Sequence, residues 1–349
     1  MKKENSFYFP PEWYPQSAVQ LTWPHEKTDW SYMLEEITAC FVSIARIILQ
    51  YQKLIIVCED IQSVKRQLDV DGNLELQKNL ILVEIPSNDT WARDHCGISV
   101  FDSVTQEKYI LDFTFNGWGL KFPADYDNQI TRGLFAEKMF QPDVQYINRK
   151  DFVFEGGGIE SDGKGTLLTT SECLLSPNRN SYLNKSEIEG NLLSTFGADR
   201  VLWLDYGYLA GDDTDSHIDT LARFCDEHTI VYVKSEDKND EHYEALSKME
   251  EQLRDFVDYE GNPYRLIPLP MADKVVEDGE RLPATYANFL IMNKVVLLPF
   301  YNSEKDALAL HQLEKAFPSH KIIGVDCLPI IKQHGSLHCV TMQYPEGFI

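Results

Sequence analysis

Short apolar runs and amphipathic helical stretches take turns along all 349 residues, and this alternation constrains the fold more than any other feature. Apolar side chains recur at helical spacing over 31–53, and the chain reads as helix again at Ile61–Leu68, around 130–140, and over 185–196, 240–258 and 303–316. Strand-like runs lie between them: Leu54–Val57, Leu80–Ile85, Cys96–Phe101, Tyr109–Phe115, Val144–Ile147, Phe152–Phe154 and Val201–Leu204. His228–Lys234, Arg265–Pro268, Ala287–Met292, Val295–Phe300, Lys321–Val325 and His338–Met342 continue the series. Asp162-Gly163 between two apolar runs marks a hairpin. Strands interleaved with helices define the class as α/β. Residues 1–30, rich in aromatics and proline, read as irregular chain packed onto the body. No Gly/Ser-rich linker or low-complexity run divides the chain, so a single domain over 1–349 is expected.

Composition narrows the function classes. Hydrophobic content of 43% and aromatic content of 12% suffice for a packed core. The formal net charge is −23, from 55 acidic and 32 basic residues, which disfavours nucleic acid and anionic membranes as partners. The same charge attracts small cations. No apolar segment is long enough to cross a membrane as a helix, and the N-terminus MKKENSFYFPPEWYP lacks the apolar stretch of a signal peptide. Seven widely spaced cysteines with no Cys-x-x-Cys suggest neither a disulfide framework nor a zinc ribbon. A cytoplasmic protein with reduced thiols is expected.

The chemistry concentrates in Gly211-Asp212-Asp213-Thr214-Asp215-Ser216-His217-Ile218-Asp219, where carboxylates crowd around one histidine. Such a segment calls for a positive charge from outside it: a metal, a basic neighbour or a cationic ligand. His217 and Asp219 are two residues apart, so in an extended segment both side chains face one pocket. Asp94, Glu155 and His217 recur at intervals of about 60 residues, each after a strand, as stacked units sharing a centre would place them.

Cys339 is the candidate nucleophile, since a thiolate beside a cation attacks carbon well, although most free cysteines are simply buried apolar groups. His217 suits proton transfer near neutral pH. Glu155 precedes Gly156-Gly157-Gly158, a stretch that lets backbone approach a ligand closely, or forms a tight turn. Asp94 and Asp219 match the paired hydrogen bonds of a planar guanidinium, each such contact being worth about 4 kcal/mol at about 4 Å and a dielectric of ~20. The competing account pairs them with Arg93 or Arg223. A divalent metal on His217, Asp213, Asp215 and Asp219 is the other competitor, though no HExxH or paired His/Cys spacing accompanies it. A thiol, a histidine and several carboxylates around a cation suit attack on a guanidinium carbon.

At these residues the chain resembles the agmatine deiminase family, among the guanidino-group-modifying enzymes. The matching stretches are LTWPHEKTDW (21–30), NDTWARD (88–94), FEGGGIESDGKGTLLTTSECLLSPNRN (154–180), GDDTDSHID (211–219), YANFLIMNKVVLLP (286–299) and HGSLHCVTMQ (334–343). The resemblance implies a five-bladed α/β propeller, the pentein fold, with ββαβ-type units around a central channel. It implies Cys339 as nucleophile, His217 as general acid/base and Glu155 as its partner. Asp94 and Asp219 would hold the guanidinium, Trp91 would wall the channel, and Asp213 would meet the substrate's distal amine. No metal or organic cofactor is implied, the partner is a small cationic guanidino compound, and a propeller of this kind lends itself to homodimers. The implied reaction takes agmatine to N-carbamoylputrescine and ammonia through an S-alkylthiouronium on Cys339. Peptidyl-arginine or free arginine is the alternative substrate; a carboxylate there would call for an arginine such as Arg93, Arg179 or Arg281. Transfer of the amidine, metal-dependent hydrolysis and non-catalytic guanidine or polyamine binding are the other readings. The chain departs from the familiar Gly-Gly-Gly-Asn-Ile-His-Cys with Gln333-His334-Gly335-Ser336-Leu337-His338-Cys339, and carries Ser216 and Thr220 where Gly and Asn are common.

Overall fold

Parallel strands cannot be joined by a tight turn; they need a crossover of a dozen or more residues, usually a helix. Among the described residues this chain uses that rule six times. The computed structural model describes residues 7–69 and 74–349. Among these residues are five sheets of three or four strands and one two-stranded ribbon. Each of the five contains an antiparallel pair followed by a parallel neighbour. Ile98–Asp102 runs antiparallel to Lys108–Thr114, which lies parallel to Val144–Val153 across the helix Asp127–Ala136. Glu160–Ser161, Thr166–Thr170 and Arg200–Leu204 repeat the arrangement around Lys185–Phe196. Ala222–Asp226, Thr229–Lys234 and Arg265–Pro270 do so around Tyr243–Asp255. Leu290–Ile291, Val295–Phe300 and Lys321–Asp326 do so around Asp306–Ala316.

The fifth sheet joins the two ends of the chain. Thr341–Pro345 pairs antiparallel with Gln16–Thr22, Thr341 opposite Leu21, and Gln16–Thr22 lies parallel to Lys53–Cys58 across the helix Leu34–Ile48. Leu80–Glu84 adds a further parallel strand. The helix–strand alternation of the sequence is therefore the crossover grammar of these units. Local signals fix the helix ends: Asn184 and Glu187 form a reciprocal cap on Lys185–Phe196, which ends at Gly197 in the left-handed region.

Several expectations are corrected. Gln16–Thr22, within the stretch read as irregular, is a buried strand; residues 1–6 of that stretch lie outside the described residues. The strand was hidden because polar residues interrupt its apolar run, and distant parts of the chain bond to them, although Gln20 Nε2 stays buried without a partner. Gln20 Oε1 accepts from Tyr344 OH (2.7 Å), and Thr22 Oγ1 lies 3.3 Å from His95 Nε2. Val144–Ile147 and Phe152–Phe154 are not two strands. Val144–Val153 is continuous, with a register shift between Phe113, opposite Arg149, and Thr114, opposite Val153, that absorbs Lys150, Asp151 and Phe152. In Ala287–Met292 only Leu290–Ile291 pairs. The last strand begins at Thr341, because the Thr341 amide and hydroxyl both donate to the His338 carbonyl and close a turn. Cys339 sits on that turn.

Candidate active site

The segments that follow the last strand of each unit converge. Leu80–Glu84 leads to Asp94, Val144–Val153 to Glu155, and Arg200–Leu204 to His217 and Asp219; Arg265–Pro270 leads to Asn288 and Lys321–Asp326 to Cys339. Loops beyond the carboxyl ends of parallel strands are where α/β proteins place their ligands.

Asp94, on the short helix Ala92–His95, is buried and held on both oxygens. Oδ1 accepts from the Gly157 amide (2.9 Å) and Oδ2 from Trp118 Nε1 (2.9 Å). His217 stands between two acids, Nδ1 3.6 Å from Asp94 Oδ1 and Nε2 3.7 Å from Glu155 Oε2. Glu155 is clamped by Arg179, whose Nε reaches both carboxylate oxygens (3.0 and 2.8 Å) while Nη1 donates to Asp215 (2.5 Å) and Nη2 to the Thr214 carbonyl (2.9 Å).

Gly157 explains the triple glycine. A Cβ there would stand 2.6 Å from His217 Nδ1, 2.8 Å from Asp94 Oδ1 and 3.2 Å from Asp219 Oδ2. The missing side chain is what allows three polar groups to meet. Gly157→Ala is expected to cost about 1–3 kcal/mol in denaturant unfolding and to remove most activity. A variant with wild-type stability and turnover would show that this spacing is irrelevant.

Asp219 Oδ2 accepts from His338 Nδ1 (2.7 Å), whereas Oδ1 is buried without a partner. His338 Nε2 bonds in turn to Glu12 Oε2 (2.7 Å), which also accepts from Arg223 Nη2 (2.7 Å). His217 and Asp219 do converge, but not along an extended segment. Ile218–Thr220 is a 3₁₀ turn, with the Thr220 amide and hydroxyl donating to the His217 carbonyl.

Cys339 is buried, and its thiol donates to Asn288 Oδ1 (3.4 Å). Burial first, then the charges of Asp219 and Asp94, push that thiol well above its ordinary range. His217 is moved the opposite way relative to neutrality. Burial opposes its protonation, but Asp94, with Cys173 and Glu155 behind it, holds the imidazole well above its usual pKa. Asp94 is itself raised, by burial and the nearby Asp219 and Glu155. Asp219 resists burial and stays low through the hydrogen bond and charge of His338. The resting site thus pairs a neutral thiol with a charged histidine.

Above these groups opens a cavity of about 450 Å³. Trp91, Trp118, Phe115 and Phe122 give it aromatic walls, and Asp29, Glu59, Asp89, Asp94, Asp127 and Asp213 supply carboxylates. Lys27 is the one lysine or arginine among its described lining residues, and Glu59 already binds it at 3.0 Å. Burial raises Asp89 and Asp127 to about 7, and Asp213 is raised too. The unfolded chain loses those protons near pH 4, so Asp89 and Asp127 lower the stability of the empty protein as pH climbs from about 4 to about 7.

None of the three arginines considered for a substrate carboxylate lines this cavity. Arg179 is locked on Glu155 and Asp215, Arg93 lies buried beside Glu12 (3.9 Å), and Arg281 pairs with Asp240 (2.9 Å) and Glu241 (3.1 Å). The four-ligand metal set is not assembled either. Asp215 is taken by Arg179 and Lys121, and Asp213 faces the cavity.

Trp118, Asn288, His338 and Glu12 were not singled out by sequence reasoning. Trp118 rides on a left-handed turn with φ of +65°, +55°, +86° and +69° at Gly117, Trp118, Gly119 and Leu120. Such a conformation costs roughly 1–2 kcal/mol per non-glycine residue, and it aims the indole N–H at Asp94. The Gly-x-Gly around Trp118 was its visible signal. Asn288 comes one unit after Asp219 but breaks the interval of about 60 residues, so the spacing did not mark it.

Known proteins resemble this chain over nearly its whole length. A Vibrio parahaemolyticus protein provisionally named agmatine deiminase is 35% identical, with 98% of each chain covered. A Porphyromonas gingivalis crystal structure, provisionally named an arginine deiminase, superposes with a TM-score of 0.93 at 55% identity, covering 98% of this chain and 99% of that one. The C. jejuni agmatine deiminase with substrate bound superposes at 0.91 with 38% identity, covering 100% and 99%. Residues 8–345 match the Porphyromonas-type peptidyl-arginine deiminase profile, and the chain belongs to that family.

Proposed function

We propose that the protein is an agmatine deiminase, hydrolysing a guanidinium to a ureido group and ammonia. The observation that carries the choice of substrate is the cavity wall: six carboxylates, no arginine, and a single lysine already paired to Glu59. Agmatine is cationic at both ends and fits that wall; the carboxylate of arginine or of a peptide end would meet a lining in which six acids face a single lysine already paired to Glu59. Asp213 is the acid proposed for the distal amine, and Trp91 and Trp118 the walls along the aliphatic stem.

In this reading the guanidinium plane lies between Asp94 and Asp219, with the unpartnered Asp219 Oδ1 accepting one of its N–H groups. Its charge cancels the field that keeps Cys339 protonated, so the thiol gives up its proton to water as substrate arrives. The sulfur attacks the guanidinium carbon. His217, already charged, gives its proton to the departing ammonia, leaving an S-alkylthiouronium. It then takes a proton from the attacking water, and collapse expels the thiolate and the ureido product. Glu155 keeps the imidazole oriented and charged, itself fixed by Arg179.

The five repeated sheet units, each sending a residue to one centre, support a five-bladed propeller forming one domain. The seven cysteines are free thiols, which favours a reducing, cytoplasmic setting.

Ammonia release from agmatine, free arginine and an internal-arginine peptide tests the function. Release from agmatine well above the others is expected, and preference for arginine or peptide overturns the substrate. The cavity also predicts a pH dependence. Asp89 and Asp127 ionise around pH 7, so KM for agmatine is expected to fall several-fold between about pH 6 and pH 8. Asp127→Asn should flatten that slope, and an unchanged slope removes Asp127 from substrate attraction.

A further inference from the structure

We propose that Cys173, Glu155 and His217 form a binding site for a thiophilic divalent cation such as Zn²⁺, separate from the nucleophile, and that its occupation switches the reaction off. The proposed reaction routes no bond-making or proton-transfer step through Cys173, yet its sulfur is fully buried against the two residues that handle the proton. One ligand atom from each of the three lies within 4.8 Å of the others. Glu155 Oε2 is 3.7 Å from His217 Nε2 and 4.0 Å from Cys173 Sγ. Tetrahedral zinc with ordinary bond lengths needs edges of about 3.4 Å between nitrogen and oxygen and about 3.6 Å between sulfur and oxygen. Closing these two gaps takes a few tenths of an ångström, and the third edge, between nitrogen and sulfur, lies within 4.8 Å.

A second, independent observation points into the same space. His217 Nε2 is buried and has no hydrogen-bond partner. Buried imidazole nitrogens ordinarily find one, and this nitrogen faces the carboxylate and the thiol rather than the cavity. The outer shell is suitable as well. Arg179 fixes the Glu155 carboxylate through both oxygens, as partners outside metal ligands usually do. Asp94 stands 3.6 Å from the other ring nitrogen, and Asp215 sits beyond Arg179, so carboxylates outnumber the local arginine and a divalent charge is welcome. A nitrogen, a sulfur and an oxygen make a borderline-soft set that suits zinc over magnesium or calcium.

Binding forms three metal–ligand bonds and releases the Cys173 thiol proton and the Nε2 proton of His217. The metal then occupies the residue that must give ammonia its proton. The inhibitory consequence rests on the deiminase reading; the site itself does not.

Cobalt(II) reports thiolate ligation directly through a near-ultraviolet charge-transfer band. Titration should give this band at one equivalent in wild type and in Cys339→Ser, and lose it in Cys173→Ser. In parallel, Zn²⁺ should inhibit ammonia release from agmatine and a chelator should restore it. Cys173→Ser, with inhibition expressed relative to its own metal-free rate, should need at least about tenfold more Zn²⁺ for equal fractional inhibition. If that variant fails to fold, Cys173→Ala carries the same comparison. Absence of the band in wild type, its survival without Cys173, or its loss with Cys339→Ser overturns the proposal. Should agmatine prove not to be a substrate, the cobalt band still decides the site.

Discussion

Cys339→Ser is expected to lower agmatine turnover by at least about 10⁴-fold while leaving agmatine binding measurable, because the lost step is covalent and the contacts that hold the cation are elsewhere. Isothermal titration and single-turnover ammonia release separate the two. The substitution is mild in packing terms: residue 339 is buried on a turn whose backbone amide donates to Asn288 Oδ1 (3.3 Å), and serine preserves that bond. The same geometry makes a further demand. Since burial and two anions keep the free thiol protonated, alkylation of Cys339 in the empty protein should be slow at neutral pH. Full turnover in the serine variant would remove Cys339 from the chemistry, whatever the family resemblance.

The second large effect is expected at Asp219→Asn. This carboxylate is the hinge between the cavity and a buried polar cluster: one oxygen is bonded to His338, the other is unpartnered. The amide would remove the charge opposing the guanidinium and turn an N–H toward either His338 or the substrate. Losing one partner of a buried, hydrogen-bonded charge pair typically costs about 3–5 kcal/mol, which corresponds to roughly 10²–10⁴-fold in kcat/KM. The loss should appear in KM as well as kcat, since Asp219 meets the cation in the ground state too. A change under about threefold would assign Asp219 to folding alone, with the Glu12–His338–Arg223 cluster as its purpose.

That cluster shows where legibility from sequence stops. Asp94, Glu155, His217 and Asp219 could each be picked out because charge density, triple glycine and regular intervals are local or periodic signals, whereas Cys339, one of seven thiols, stood out through the family resemblance. The reason first given for His217 and Asp219 was wrong: they meet through a 3₁₀ turn and a glycine gap, not along a strand. Glu12 and His338 are 326 residues apart and had no local signal at all. They come together only because the last strand pairs with Gln16–Thr22.

The sequence by itself determined the class, the repeat and the chemical inventory. Hydrophobic periodicity encodes helix and strand locally, and a charge of −23 makes a cationic partner the natural one. Only the tertiary structure decided which groups are free to act. It turned Arg179 from a candidate substrate clamp into the lock on Glu155 and brought Trp118 onto Asp94 through a strained turn. It also left Asp219 Oδ1 and His217 Nε2 buried and unpartnered. Hydrogen bonds across long sequence separations depend on closure of the sheets, and no local pattern records which partner a buried polar atom will find.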